Sequence, residues 1–210
     1  MRFVEDVRAI PLWINGRACL RLTPAFAEVR DPVSGAVLRR VPVCRVSDLE
    51  EVILAAQTAL SAWDSLGESR RRQLLVTLGD ALEALADHFM KLVAEETGLN
   101  DDQAGLTVKE IVAYLRSPNG PNALSVAGVV VATSESAPAM ANLAALAVAA
   151  LAAGAGVVIC PPLHAPSALL ALAELSGRCG FPAGVISVVY PDSHLLADLH
   201  GRPDLTILSC

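Results

Sequence analysis

The first feature of this 210-residue sequence is an absence, since no Asp, Glu, Lys or Arg occurs between Glu135 and Glu174. An uncharged stretch of this length exceeds the roughly 20 residues that span a bilayer, so a membrane helix is the first alternative. However, the stretch is rich in alanine, a glycine pair interrupts it, Pro161 and Pro162 end it, and no basic cluster or aromatic belt flanks it. We therefore expect no membrane span.

The sequence also lacks clustered basic residues, paired cysteines and a secretory signal. The net charge is −6 and the pI is about 5.2, so we expect no nucleic-acid partner, and we interpret the single run Arg70–Arg72 as a solvated helix face. The five cysteines contain no C-x-x-C pair, which predicts free thiols and no metal site. Acids and Pro11 stand where a signal peptide has its apolar core, which predicts a cytoplasmic protein.

The segment Met140–Cys160 indicates the fold class. Its first part is rich in Ala and Leu, which favour helix, and its last part, Val157–Ile159, favours a buried strand. The glycines of Gly154-Ala155-Gly156 follow a helix and open a strand, whereas the phosphate-binding fingerprint follows a strand and opens a helix. We therefore interpret these glycines as residues that allow a helix and a parallel strand to pack tightly against each other.

The same reasoning organises the whole chain as an α/β fold, with a Rossmann-like doubly wound parallel sheet, N-terminal hairpins and a helical segment. We expect one domain over residues 1–210, with hairpins and helices in 1–117 and Rossmann-like βα units in 122–210. Hairpin turns are predicted at Asn15-Gly16 and Asp31–Gly35. The predicted helices are 47–66, which begins with a capping box at Ser47–Glu50, then 68–97 and 101–116. Strands at 127–132, 157–160, 185–190 and 205–208 then alternate with helices at 138–153, 166–177 and 193–199.

Several phrases occur in an order and spacing typical of one family. They are Trp13-Ile14-Asn15-Gly16, Asp31–Val37, Ala62-Trp63, Glu95-Glu96-Thr97-Gly98, Ala149–Ile159 and Gly180–Val189. In these phrases the chain resembles the N-terminal half of the NAD(P)-dependent aldehyde dehydrogenase superfamily, and the resemblance covers nearly the whole chain. It implies a nucleotide crevice at the carboxyl ends of the parallel strands. By position, the candidate cofactor-binding residues are Thr133, Ser134, Cys160 and Pro161.

The sequence departs from that family in two phrases. Where the family has K-P-x-E-x-x-P, with a lysine and a glutamate that hold the adenosine ribose, this chain has Cys160 and Leu163 at the two charged positions. Where the family has P-W-N-x-P, with an asparagine that stabilises the oxyanion, this chain has Ser134–Pro138, in which Ser136 is expected to cap a helix and Glu135 to repel a phosphate. NAD(P) thus remains possible as a cofactor, although its expected partners are replaced.

The cysteines offer no substitute nucleophile. Cys160 lies at a strand end with His164 four residues later, but the intervening prolines prevent a helical i, i+4 pair. We therefore interpret Cys160 as a core or rim thiol and assign no catalytic residue. The resemblance implies that the nucleophilic cysteine and general-base glutamate belong to the family's other half.

Three functions follow as hypotheses. The first is a truncated, aldehyde dehydrogenase-like protein that is noncatalytic alone and acts as a structural or regulatory partner, through a protein partner or a homo-oligomer that covers the surface left by the missing half. The second is the NAD(P)-binding half of an aldehyde oxidoreductase that a separately encoded catalytic chain completes. The third is a small-ligand module that uses the crevice around Thr133, Ser134, Cys160 and Ser193.

Overall fold

The computed structural model describes residues 7–21, 23, 25–118, 126–134 and 140–210. The first part of the chain forms β1 (Leu12–Ile14), β2 (Arg17–Cys19), β3 (Phe26–Arg30), β4 (Val37–Pro42), α1 (Val46–Ser65), α2 (Gly67–Ala84), α3 (Ala86–Thr97) and α4 (Asp101–Arg116). The second part forms β5 (Val129–Thr133), α5 (Met140–Ala153), β6 (Gly156–Cys160), α6 (Ser167–Arg178), β7 (Ile186–Val188), α7 (Ser193–Leu199) and β8 (Leu205–Ser209). The helix start predicted near Pro138, with Ser136 as its cap, lies outside the described residues.

The central sheet has six strands in the order β2-β1-β7-β6-β5-β8. Four strands run parallel to one another, namely β5, β6, β7 and β8. Strand β1 is antiparallel to β7 and pairs with it through Trp13 and Val188. Strands β3 and β4 form a separate antiparallel hairpin. The predicted α/β fold with a mostly parallel, Rossmann-like sheet is confirmed.

Strands β5 and β6, which both lie inside the sheet, are buried at every residue. Because successive side chains of a strand point to opposite faces, complete burial means that both faces of the sheet are covered. Helices α1 and α5 contact both strands, and α6 contacts β7. The uncharged stretch of the sequence therefore forms the core of the sheet and its helices. Within the described residues, no helix is long and apolar enough to cross a membrane.

The corner between α5 and β6 forms at Gly154, as predicted. Its φ of +101° lies in the left-handed region, which a residue with a Cβ rarely adopts. The Trp63 indole donates a hydrogen bond of 3.1 Å to the carbonyl of Leu151, which joins α1 to the last turn of α5. The corner thus fixes where β6 enters the sheet.

The interpretation of Arg70–Arg72 as a solvated helix face is wrong for its central residue. Arg71 is buried, and its Nη2 lies 3.3 Å from the position that a Cβ would take on Gly154. A cation near the C-terminal end of α5 is favourable because the helix dipole is negative there. Its ion pair with Asp64 is long, at 3.7 Å.

The predicted helix over 68–97 is two helices, and the break is at Leu85. This residue has φ −113° and ψ 19°, and its N–H bonds to the carbonyl of Leu82. No glycine or proline marks the break. Both helices pack against α4 and α6, and α2 also packs against α5.

The start of α1 also differs from the prediction. The helix begins at Val46 rather than at Ser47, and the Asp48 carboxylate accepts a 2.9 Å hydrogen bond from the Arg45 backbone N–H. The reciprocal contact is therefore made by an aspartate at the third helical position, and not by Glu50.

Candidate functional site

A pocket of about 520 Å³ lies at the carboxyl ends of the parallel strands. It is lined by Ser134, Cys160, Pro161, Pro162, Leu163, His164, Pro191, Asp192, Ser193 and Leu196. These residues follow β5, β6 and β7, which are neighbours in the sheet. Open α/β sheets bind their ligands at this edge, so the pocket is the candidate functional site.

The structure brings together three of the four residues predicted for the cofactor. Ser134, Cys160 and Pro161 line the pocket, whereas Thr133 is not among the lining residues. The Thr133 hydroxyl is buried without a hydrogen-bond partner, and its carbonyl accepts a 3.2 Å bond from the Cys210 N–H. Contact between the four predicted residues and a cofactor stays a prediction.

Sequence reasoning placed Ser193, the first residue of α7, in the crevice, but it missed its neighbours Asp192 and Leu196. Asp192 is the N-cap of α7, and its carboxylate accepts a 2.9 Å hydrogen bond from the Leu195 N–H. Leu196 lies one turn further along and also lines the pocket. The sequence signal was an aspartate directly before a short helix, which is a typical cap. Its position beside the ends of β5 and β6 depends on the strand order, which no local pattern reveals.

The thiols at this edge are held in their neutral form. Burial raises the pKa of Cys160 far above its ordinary value. Burial, together with the nearby Asp48 carboxylate, raises the pKa of Cys44 to about 12. No hydrogen bond joins Cys160 to His164. Since the thiolate is the nucleophilic form, this arrangement gives Cys160 no activation.

Glu96 holds the proline-rich segment that forms one side of the pocket. Its buried carboxylate accepts hydrogen bonds from the Ser167 N–H, at 2.9 Å, and from the Ser167 hydroxyl, and it pairs with Arg39 at 3.0 Å. Ser167 is the first residue of α6, and residues 161–166 lie between it and β6. Burial raises the pKa of Glu96, although Ser167 and Arg39 oppose this shift. Glu96 is therefore a positioning residue for this wall.

The described lining of the pocket contains no Lys or Arg. Asp192 in this lining is acidic, and the sequence contains no Lys or Arg between Arg116 and Arg178. Arg202, which precedes β8, is paired with Glu50 and, at 2.8 Å, with Asp204. A pyrophosphate would thus meet the Asp192 carboxylate, with His164 as the one described lining side chain that can carry positive charge. Over the described part of the chain, no group of three or more His, Cys, Asp or Glu side chains could hold a metal ion.

Comparison with known proteins identifies the family. The model of the aldehyde dehydrogenase family matches residues 23–137 and 127–210. Malonate-semialdehyde dehydrogenase of Pseudomonas aeruginosa is 30% identical over 206 residues, which cover 87% of this chain and 41% of that protein. Vanillin dehydrogenase of Pseudomonas fluorescens is 32% identical over 107 residues, or 51% of this chain and 22% of that protein.

Solved structures agree with this relationship. PnpE in complex with nicotinamide adenine dinucleotide superposes with a TM-score of 0.86 at 26% identity, over 95% of this chain and 45% of PnpE. An aldehyde dehydrogenase from Bartonella henselae gives a TM-score of 0.84 at 20% identity, over 95% of this chain and 46% of that one. This chain therefore spans less than half the length of these relatives, and it belongs to the aldehyde dehydrogenase family.

Proposed function

We propose that this chain does not oxidise aldehydes on its own and acts as a structural or regulatory partner subunit. The observation that carries the proposal is the chemistry of the pocket at the ends of β5, β6 and β7. Asp192 is the only Asp or Glu among the described lining residues, and no Lys or Arg lies there. Cys160, where the family places a ribose-binding lysine, is a buried neutral thiol.

The rest of the fold supports a role that depends on structure alone. The six-stranded sheet is assembled, and both faces of β5 and β6 are covered. A chain can keep such a packed scaffold without catalytic groups, because burial of the helix and sheet faces stabilises it independently of chemistry.

The direct test is an assay for aldehyde oxidation by the purified chain. We expect no NADH or NADPH formation with malonate semialdehyde, succinate semialdehyde or vanillin, under conditions in which a full-length relative such as malonate-semialdehyde dehydrogenase turns over. Measurable formation of reduced nicotinamide that depends on both the chain and the aldehyde would disprove the proposal.

A second candidate is a nucleotide-binding half that a separate catalytic chain completes. It is favoured by β8, which carries no charged residue and, among the described residues, pairs only with β5. An uncharged edge strand with open backbone groups is suited to pairing with another chain. Native mass determination of the complex from its source tests this. Recovery with a second aldehyde dehydrogenase-type polypeptide supports the candidate, and recovery as a monomer or homo-oligomer contradicts it.

A further inference from the structure

We propose that β8 is a dimer interface, at which it pairs antiparallel with β8 of a second copy of this chain, with Ile207 on the two-fold axis. The six-stranded sheets of the two copies then join into one continuous sheet. The inference rests on the proposed role as a structural partner subunit, and it names a second copy of the chain as the partner.

The two edges of the six-stranded sheet differ in how they are protected from pairing. At one edge, β2 has only three residues, and it begins with the charged Arg17. At the other edge, β8 has five residues without a charge, a proline or a shift of register against β5. Short strands, charges, prolines and bulges are the devices that usually keep an edge from pairing. Strand β8 has none of them, so it is the edge that is suited to strand addition.

The hydrogen bonds of β8 show which backbone groups face the open edge. The Cys210 N–H donates a 3.2 Å bond to the last carbonyl of β5, so it points towards β5. Because the backbone groups of successive residues in a strand point to alternate sides, those of Ile207 and Ser209 point away from β5. The Leu205 carbonyl points the same way, while the Leu205 N–H donates to the Arg202 carbonyl at 3.4 Å. The open edge therefore has donors at two residues and acceptors at three.

These donors and acceptors are complementary to themselves about Ile207. In an antiparallel pair centred there, the two Ile207 residues exchange both hydrogen bonds, and the Ser209 N–H of each copy donates to the Leu205 carbonyl of the other. An axis at Thr206 or Leu208 would leave Ser209 or Leu205 without a counterpart in the partner's β8. The register centred on Ile207 thus uses every open residue of the strand.

The charges beside β8 favour the antiparallel arrangement of two copies. Arg202 pairs with Asp204 at 2.8 Å and also with Glu50, so each copy has one cation and two carboxylates next to the start of the strand. In an antiparallel pair, the two groups of charges lie at opposite ends of the interface. In a parallel pair they would lie side by side, where like charges oppose association.

Exposed apolar surface adjoins this edge. Leu54 is 64% exposed, and it lies between Glu50 and Gln57 on one face of α1. Both of these neighbours contact the segment that leads into β8. Within β8 itself, four of the five residues are half-buried. Apolar surface next to an unpaired edge is typical of a surface that another chain covers.

Sedimentation velocity of the full chain tests the dimer. We expect a dimer of the 21.9-kDa chain with a dissociation constant of about 1–100 µM, because a five-residue strand pair buries less than a standard interface. Ile207→Pro removes an N–H that faces the open edge, and an edge strand tolerates proline at such a position. This variant should raise the dissociation constant at least about tenfold with an unchanged circular dichroism spectrum. Ile207→Val, which retains the N–H, is the matched control and should associate as the wild type does.

Disulfide crosslinking tests the register in a Cys210→Ser background oxidised with copper phenanthroline. Ile207→Cys should form a linked dimer, because the Cα atoms of such a pair are about 5.5 Å apart. Leu205→Cys alone and Ser209→Cys alone should stay monomeric, since each residue is about 14 Å from its own copy. A mixture of these two variants should form the linked dimer, because the two positions oppose each other. The background variant without an introduced cysteine is the control for the remaining thiols.

The outcomes separate this inference from the proposed function. A monomer at every concentration up to several hundred micromolar overturns the inference, and so does a mixture of Leu205→Cys and Ser209→Cys that links no better than either variant alone. Linking of each of these two variants to itself would indicate a parallel pair and would also overturn it. A different polypeptide bound at β8 in the complex from the source would exclude a second copy as the partner. Aldehyde oxidation, which the separate assay detects, would overturn the proposed function whatever the state of association.

Discussion

At the scale of single residues, burial decides which groups can react. Cys160 and Cys44 are buried, while Cys210 is exposed. Sequence spacing alone drew attention to Cys160 because His164 follows it, but the pKa of Cys160 depends on the surrounding apolar atoms. A thiol in such an environment behaves as a small hydrophobic side chain.

The rate of alkylation measures the reactivity of each thiol directly. With iodoacetamide at pH 8, we expect Cys210 to be modified much faster than Cys160 or Cys44, because only a thiolate reacts and burial suppresses its formation. Peptide mass spectrometry over a time course gives the three rates, and the urea-unfolded chain, in which the rates should converge, is the control. Preferential modification of Cys160 in the folded chain would contradict its assignment as an unreactive thiol.

Glu96 gives a second prediction at this scale. Glu96→Gln should lower the free energy of unfolding by about 1–3 kcal/mol, because an amide NH2 replaces one of the two carboxylate oxygens that accept hydrogen bonds from Ser167 and Arg39 and cannot accept in its place. Glu95→Gln is the matched control, since Glu95 also pairs with Arg39 but is more exposed. Urea unfolding measures the loss of unfolding free energy in both variants. Equal losses would contradict the claim that Glu96 stabilises the fold more than Glu95 does.

The pH dependence of the same residue has a defined sign. Because burial raises the pKa of Glu96 in the folded state, the folded chain holds this proton more tightly than the unfolded chain. The contribution of Glu96 to stability is therefore largest at low pH and falls as the pH rises through the raised pKa. We expect the difference in unfolding free energy between the wild type and Glu96→Gln to shrink as the pH increases upward from 4.5, the ordinary value of this group.

At the scale of elements, close approach of backbone to backbone positions β7 against α1. Gly184 precedes β7 with a φ of +91°, and a Cβ there would lie 2.7 Å from the carbonyl oxygen of Ala55. This oxygen belongs to a helix backbone and cannot move aside as a side chain can. The position of β7 therefore depends on a glycine at residue 184. Through Val188, this strand pairs with Trp13 of β1.

Gly184→Ala should therefore destabilise the chain by more than backbone strain alone. We expect a loss of more than about 2 kcal/mol, compared with about 1–2 kcal/mol for the left-handed conformation by itself. Gly35→Ala isolates the conformational part, because Gly35 has a φ of +70° and no atom within 4 Å of its Cβ position. Thermal unfolding of both variants provides the comparison, and equal losses would show that the contact with Ala55 relaxes.

At the scale of the whole molecule, the proposal that another chain completes the sheet makes the edge strand β8 the expected interface. Ile207→Lys, in the middle of β8, should weaken any self-association or partner binding by at least tenfold, because an edge lysine opposes strand pairing. Val33→Lys, in the turn between β3 and β4, is the control at a residue that is 86% exposed. Sedimentation velocity over a concentration series gives the association constants, and equal effects of the two lysines would exclude β8 as the interface.

Elements that have local signals in the sequence were predicted well. Helix α4 has the predicted bounds, since Asn100 caps it and exchanges hydrogen bonds with Gln103. The break at Leu85 was missed because no local signal, such as a glycine or a proline, marks it. For the site, the ends of β5 and β6 were predicted from the order of strands and helices. Asp192 was not, because its position there follows from the neighbouring places of β5, β6 and β7 in the sheet.

The pairing of Trp13 in β1 with Val188 in β7 also constrains how the chain is made. The strand that the first hairpin must join is synthesised long after the hairpin itself. Contacts between such distant parts of a chain form slowly and leave apolar surface uncovered in the meantime. We therefore expect the amino-terminal hairpin to dock only after β7 has been synthesised, so that chaperones can bind the uncovered hairpin in the meantime.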